Sequence, residues 1–254
     1  MRSLLRNIIL NTLGTVKKIS PGVHILNSHY ISPLNSSQDV FYKLLKNISK
    51  QADFINIQDA VQLIKDKQPT NQKLISFTFD DGFEECYTKI SPILRDFKTN
   101  AAFFINPGFI DGDNNYKSNF LENVVHVPYK KPMNWEMIKE LHSEGFIIGN
   151  HTQDHERLVG LTEEEYKNQI LGSKAIIEKH IGNKCDYFAW TYGKLTDIDP
   201  SALKVALDNH KYVFSSAKSE NYFSCNNKVI NRRHIEGNWS ISHINYFLAK
   251  GKSY

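Results

Sequence analysis

Apolar residues along the chain fall into two alternating kinds of run. Residues 23–31, 74–79, 101–105, 146–149, 187–190, 212–215 and 228–235 are β-branched, aromatic or apolar at most positions. Short runs of this kind predict strands, and a stretch as uniformly apolar as Ala101-Ala102-Phe103-Phe104-Ile105 predicts a strand covered on both faces. Between them apolar residues recur at helical spacing. Residues 38–49 carry Val40, Phe41, Leu44, Leu45 and Ile48, and residues 57–67 carry Ala60, Val61 and Ile64. Residues 86–97, 135–143, 162–181, 200–209 and 241–250 behave likewise. Thr162-x-x-Glu165 reads as a capping box, Pro200 suits a first helical turn, Asn134 suits an N-cap, and Gly251 a C-cap. Residues 107–133 form the longest irregular stretch, expected to be a loop. Strands alternating with helices predict an α/β fold with parallel strands, either a barrel of about seven or eight units or an open doubly wound sheet.

The length of 254 residues with 41% hydrophobic content suits one globular domain, or at most two small ones. A formal net charge of +4, spread evenly, gives no argument for a nucleic-acid partner. No apolar run approaches the roughly 18 residues that span a bilayer. The three cysteines, Cys86, Cys185 and Cys225, are widely spaced and read as free thiols. Residues 1–20 set Leu4, Leu5, Ile8, Ile9, Leu10, Leu13 and Val16 among Arg2, Arg6, Lys17 and Lys18. This segment is expected to be an amphipathic helix, either lying on an anionic membrane surface or packed on the domain of residues 21–254. Asn7, Asn11 and Thr12 interrupt its apolar side and no Ala-x-Ala site follows, unlike an export signal. The expected location is therefore cytoplasmic, and peripheral at the inner membrane face only under the first of the two readings of residues 1–20. The sequence leaves the oligomeric state open.

Two constellations carry candidate chemistry. Thr78-Phe79-Asp80-Asp81-Gly82 places adjacent carboxylates at the end of an apolar strand, the end at which parallel α/β folds build their active face. Consecutive strand residues point apart, so one acid can ligate a cation while its neighbour serves as a base; a plain surface turn is the competing reading. His151-Thr152-Gln153-Asp154-His155 follows another strand, and two imidazoles at that spacing can share one metal. Asp81 would complete a set of two histidines and one carboxylate, which leaves positions open for water and substrate.

Together these motifs resemble those of the polysaccharide deacetylase family, the NodB-homology or carbohydrate esterase family 4 enzymes. Thr78-Phe79-Asp80-Asp81-Gly82 is similar to the family's first motif and His151-Thr152-x-x-His155 to its second. The resemblance implies a distorted (β/α) barrel of about seven parallel strands, Asp80 as general base, and Asp81, His151 and His155 as metal ligands. The third motif, Arg-x-Pro-Tyr-Gly, reads here Ala189-Trp190-Thr191-Tyr192-Gly193. Tyr192 and Gly193 remain, and the Tyr192 N–H could donate to an oxyanion. The arginine that braces the aspartate is absent, with Arg232 or Arg233 as its substitute and Arg232 preferred. Met133-Asn134-Trp135 resembles a helix-opening segment, with Trp135 either lining the acetyl pocket or stapling its helix. Trp190 is a second candidate for contact with the sugar. Circularly permuted members bring the general acid from the first strand, which implies His29, with His234 the runner-up.

The implied function is a metal-dependent hydrolase that removes an N-acetyl group from an amino sugar. Its partner would be an N-acetylated surface glycan or a lipid- or nucleotide-linked sugar precursor, as in O-antigen or capsule assembly. Two histidines and an aspartate suit Zn2+ first, with Co2+, Ni2+ or Fe2+ as alternatives. Loss of the third-motif arginine keeps a catalytically impaired glycan-binding barrel open, and related barrels suggest a hydrolase of small non-sugar amides.

Overall fold

The computed structural model describes residues 10, 12–32, 34 and 37–254. Seven principal strands form one curled sheet: β1 (Gly22–Ser28), β3 (Lys73–Phe79), β4 (Ala101–Ile105), β5 (Ile147–Asn150), β6 (Tyr187–Ala189), β7 (Tyr212–Ser215), and a last strand broken into β9 (Val229–Asn231) and β10 (Arg233–His234). All pair in parallel, in the order β10-β1-β3-β4-β5-β6-β7-β9. Short β2 (Asp53–Phe54) adds to β3, and β8 (Phe223–Ser224) runs antiparallel to β9. The break at Arg232 matters most. The Arg232 N–H donates to the Ser215 carbonyl of β7, and the Ile235 N–H to the Asn27 carbonyl of β1. One strand therefore bridges the two ends of the sheet and draws it into a distorted barrel.

Alternation along each strand sorts side chains into two shells. Val23, Ile25, Leu74, Ala102, Phe104, Tyr187, Ala189, Tyr212, Phe214 and Ile230 share one buried cluster inside the barrel. Leu26, Ile75, Phe77, Phe79, Ala101, Phe103 and Ile105 pack outward against Phe41, Leu44, Leu45, Ile138 and Leu141 of the surrounding helices. Followed toward the C-terminal strand ends, the inward positions become polar. Leu74 gives way to Ser76, Thr78 and Asp80, and Ile25 to Asn27. Apolar side chains thus fill the lower barrel and leave a polar mouth above, with Phe104 in the floor. A Cβ on Gly149 would lie 2.5 Å from that Phe104 ring, so the close crossing there needs glycine.

The helices are Gln38–Ile48, Ile57–Lys65, Ser91–Asp96, Trp135–Ser143, Glu163–Lys167, Ser173–Ile181, Pro200–Asn209 and Ile241–Leu248, with caps at Asn134 and a full capping box at Thr162. Three expectations need correction. Residues 107–133 are not a plain loop: Pro107–Asp111, Asn114–Asn119 and the π-turn Phe120–Val124 are helical, with Pro107 at the first turn and Asp113 as an N-cap. The helix expected over 162–181 is interrupted by another π-turn, Asn168–Gly172, and the one expected over 86–97 opens with a π-turn at Cys86–Ile90. Gly251 does not cap the last helix, which ends at Leu248 with Ala249 in right-handed conformation. Of the amphipathic segment expected over residues 1–20, residues 1–9 and 11 lie outside the described residues. The described remainder packs Gly14 onto the Ser242 backbone and Lys17 over the Tyr246 ring, while Leu13 and Val16 face outward. Among the described residues no helix is long and apolar enough to cross a membrane.

Candidate active site

Strand β3 delivers Asp80 to the barrel mouth, and the chain then reverses through Asp81 (φ +72°) and Gly82 (φ +72°). Aspartate tolerates the left-handed region better than most residues, at a cost of about 1–3 kcal/mol. The reversal turns the two carboxylates to different partners. Asp80 meets Arg232 in a fork: Nη1 donates to Oδ1 at 2.7 Å and Nη2 to Oδ2 at 3.0 Å. Nη1 also reaches Thr78 Oγ1, and the guanidinium lies 5.0 Å from the Phe104 ring centroid. Burial raises the Asp80 pKa, but the Arg232 charge, helped by His151 and His29, outweighs it and holds the carboxyl below its ordinary value. Ala189 stands on β6 where the third motif has its arginine, and the guanidinium that meets Asp80 comes instead from the β9–β10 junction. Arg233 instead lies over the Phe247 ring.

Asp81 faces the histidine pair. Its Oδ1 is buried without a hydrogen-bond partner, 3.5 Å from His151 Nε2 and 3.3 Å from His155 Nε2. Ligand atoms at about 2.0–2.2 Å from a tetrahedral ion lie about 3.3–3.6 Å apart, so this donor set fits a cation such as zinc. All three residues are buried. His151 Nδ1 donates to the Ala189 carbonyl at 2.7 Å, which fixes the tautomer and leaves the Nε2 lone pair toward Asp81. Burial lowers the His151 pKa to about 4 against the pull of Asp80 and Asp81, so the imidazole is neutral and able to ligate. The Asp81 carboxyl is raised by burial but lowered further by His155, His29 and His151, and stays ionised.

A cavity of about 220 Å³ opens beside Asp80 and His151 and is lined by His29, Tyr192, Arg232, His234 and Trp190. A second, of about 200 Å³, opens on the Asp81–His155 side and shares His29, Tyr192 and His234. His29 and His234 stand together, ring centroids 5.6 Å apart, and His234 Nε2 bonds Glu236 at 3.0 Å. Tyr192 is left-handed (φ +61°), and Arg157 stacks on its ring at 3.8 Å. Its backbone N–H takes no acceptor among the described residues. Thr191, where the third motif has proline, donates its hydroxyl to the Glu156 carbonyl at 2.6 Å and ties this loop to the histidine loop. Trp190 lines the first cavity from a buried position, its indole N–H bonded to the Lys194 carbonyl. Trp135 does not reach the site. Its ring stacks on His180 at 3.8 Å and its N–H donates to Asp111 Oδ1, so it staples its helix and lines neither cavity.

A family profile described as polysaccharide deacetylase matches residues 67–210, more than half of the chain. The chain belongs to the polysaccharide deacetylase family. The matched stretch holds Asp80, Asp81, His151, His155 and Tyr192; His29 and Arg232 lie outside it. Among curated family relatives, a peptidoglycan-N-acetylglucosamine deacetylase of Bacillus cereus is 33% identical over 114 residues, 44% of each chain. The peptidoglycan-N-acetylmuramic acid deacetylase PdaC of Bacillus subtilis is 28% identical over 177 residues, 64% of this chain and 33% of that one. The chain spans less than half the length of the curated relatives it matches. Of solved structures, IcaB from Ammonifex degensii superposes with a TM-score of 0.70 at 20% identity, over 92% of this chain and 100% of that one. The Streptococcus pyogenes deacetylase PplD superposes at 0.65 and 17% identity, over 89% and 97%. These likenesses show the family's distorted barrel. Sequence reasoning missed the amides that hold the histidine loop. Asn106, one residue beyond β4, donates to the carbonyls of His151 and Thr152, and its place at a strand end was the available signal.

Proposed function

We propose that the protein is a metal-dependent N-deacetylase acting on an N-acetylated amino sugar of a surface glycan. One observation carries this reading. An Arg232-braced aspartate and an Asp-His-His donor set with metal-ligand spacing sit side by side, facing two cavities that share His29, Tyr192 and His234. The names of the curated relatives support a glycan substrate, with peptidoglycan oligosaccharides to be tried first and lipid- or nucleotide-linked sugars after them.

Asp81, His151 and His155 would hold the cation, Zn2+ first and Co2+, Ni2+ or Fe2+ as alternatives. When bound, it supplies Lewis acidity, which polarises the acetyl carbonyl and makes the attacking water more acidic. Asp80, ionised and oriented by Arg232, takes the proton from that water. The unpaired Tyr192 N–H donates to the carbonyl oxygen as negative charge develops there. His29, at the edge shared by both cavities, returns a proton to the departing nitrogen. Acetate release from N-acetylglucosamine oligomers and peptidoglycan fragments tests the reading. Asp80→Asn should lower the rate by about 10²–10⁴-fold; an unchanged rate would refute the base assignment. Exposed Leu13 and Val16 beside Lys17 and Lys18 support contact with an anionic membrane surface. Co-sedimentation with anionic but not neutral vesicles is expected, and equal recovery would count against it.

A further inference from the structure

The loop that carries both histidines is held in an expensive shape. Thr152 and His155 take left-handed φ values of +67° and +60°. Neither is glycine, and such a strained backbone persists only where its surroundings over-determine it. What over-determines it lies outside the cavities, around Asp154. Asp154 Oδ1 accepts from the Tyr116 hydroxyl at 2.8 Å, and Oδ2 accepts from Gln169 Nε2 at 3.0 Å. The Asp154 N–H donates to Gln169 Oε1 at 2.9 Å. The Gln169 amide thus engages the backbone and side chain of one residue at once, directly before His155.

Gln169 is buried and belongs to the π-turn Asn168–Gly172. Single π-turns inside helices recur at functional sites. This one also anchors the start of the loop. Asn150 Nδ2 donates to the Ile170 carbonyl at 2.8 Å, while Asn150 Oδ1 accepts from the Thr152 N–H at 3.0 Å and from the Ser173 hydroxyl at 2.8 Å. One widened helical turn therefore grips both ends of the segment from Asn150 to Asp154.

We propose that Gln169 is a positioning residue for metal capture: its amide clamps Asp154 and so holds His155 beside His151 and Asp81 before an ion arrives. The inference rests on reading those three residues as the metal site. A preset loop loses little freedom on binding, whereas a released one must be ordered by the ion. Outer partners of metal ligands typically change affinity by about 10–100-fold.

The test titrates Zn2+ into chelator-stripped protein against a chromophoric competitor, with the melting temperature of the metal-free protein read alongside. Gln169→Glu removes the donor and sets two carboxylates against each other, and should weaken zinc binding about 10–100-fold. Adding Asp154→Asn to that variant swaps donor and acceptor. The new carboxylate would accept from the backbone N–H of residue 154 and from the new amide there, and zinc affinity should return to within about threefold of wild type. Wild-type affinity in Gln169→Glu, even with a lowered melting temperature, would mark a purely structural residue and overturn the proposal, as would a double variant no better than the single. His155→Ala separates the two readings. If it binds zinc as wild type does, the ligand assignment itself fails. If it loses zinc while Gln169→Glu does not, only the clamp fails.

Discussion

Replacing Arg232 by methionine keeps most of the side-chain volume and removes the charge. The structure makes the consequence calculable in sign and order. Arg232 is 1% exposed and Asp80 3%, and the guanidinium makes both hydrogen bonds of the fork. Deleting one member of a buried ion pair costs about 3–5 kcal/mol, because the survivor is left charged without a partner. For a chain of this size that corresponds to a fall in melting temperature of about 6–20 °C. In wild type the Asp80 carboxyl is held below its ordinary value. Its contribution to stability is present above the unfolded value of about 3.9 and is lost as pH falls through the folded one. Without Arg232, burial dominates and the folded value rises above the unfolded one. The sign then reverses: the contribution is present at low pH and lost as pH rises, so the variant should be relatively more stable at pH 5 than at pH 7. Asp80→Asn should remove most of the penalty in the double variant, since no unpaired charge remains. Thermal unfolding of the four proteins in chelator at both pH values, with acetate release in zinc buffer, is the assay. An Arg232→Met protein that melts within 2 °C of wild type and still releases acetate would refute the bracing role.

Chelation should abolish acetate release, with recovery on adding Zn2+. If zinc is held at about 100 times its dissociation constant, removing it costs about 2.7 kcal/mol, or about 5–11 °C in melting temperature; an unshifted melt would argue against a bound ion. His24 and His210 are buried, and burial lowers both to about 4, so the fold holds them neutral while the unfolded chain protonates below about 6.5. Their contribution, up to about 3 kcal/mol each, is complete above pH 6.5 and lost toward pH 4. Melting temperature should fall across that window, and His210→Gln should flatten the decline. Trp135→Leu removes the stack on His180 and the bond to Asp111. It should cost about 2–4 kcal/mol while kcat/KM on N-acetylglucosamine oligomers stays within twofold; a large kcat/KM loss at unchanged stability would return Trp135 to the substrate site.

The parts of the site legible in the sequence are those that periodicity places. Asp80 continues the inward row of Ser76 and Thr78, and the histidine pair follows β5 directly, so strand alternation alone sends them to the barrel mouth. What alternation does not reach is the conformation after the strand ends. Asp81, Thr152, His155 and Tyr192 are left-handed without being glycine, and no composition signal marks them. The π-turn Asn168–Gly172 was equally silent, because apolar spacing over 162–181 runs through it without a break and one extra residue per turn looks like ordinary helical drift. Trp135 misled for a related reason: an aromatic opening a helix serves a cavity or a staple equally well until its neighbours, here His180 and Asp111, are known.

The choice between Arg232 and Arg233 was decidable in principle by the same parity. Ile230 packs inside the barrel, and Arg232, two positions on, inherits that side, whereas Arg233 faces out onto Phe247. Its position also explains how the chain does without the arginine of the third motif. At residue 232 the backbone leaves β7 and joins β1, so the residue that closes the barrel is the one whose side chain crosses the mouth to Asp80. The brace can therefore come from the closing strand without a change in the geometry of the carboxylate. The cost is a dependence that an arginine on β6 would not have: any change that loosens the β9–β10 junction should release Asp80 as well, so closure of the sheet and orientation of the Asp80 carboxylate are coupled in this chain.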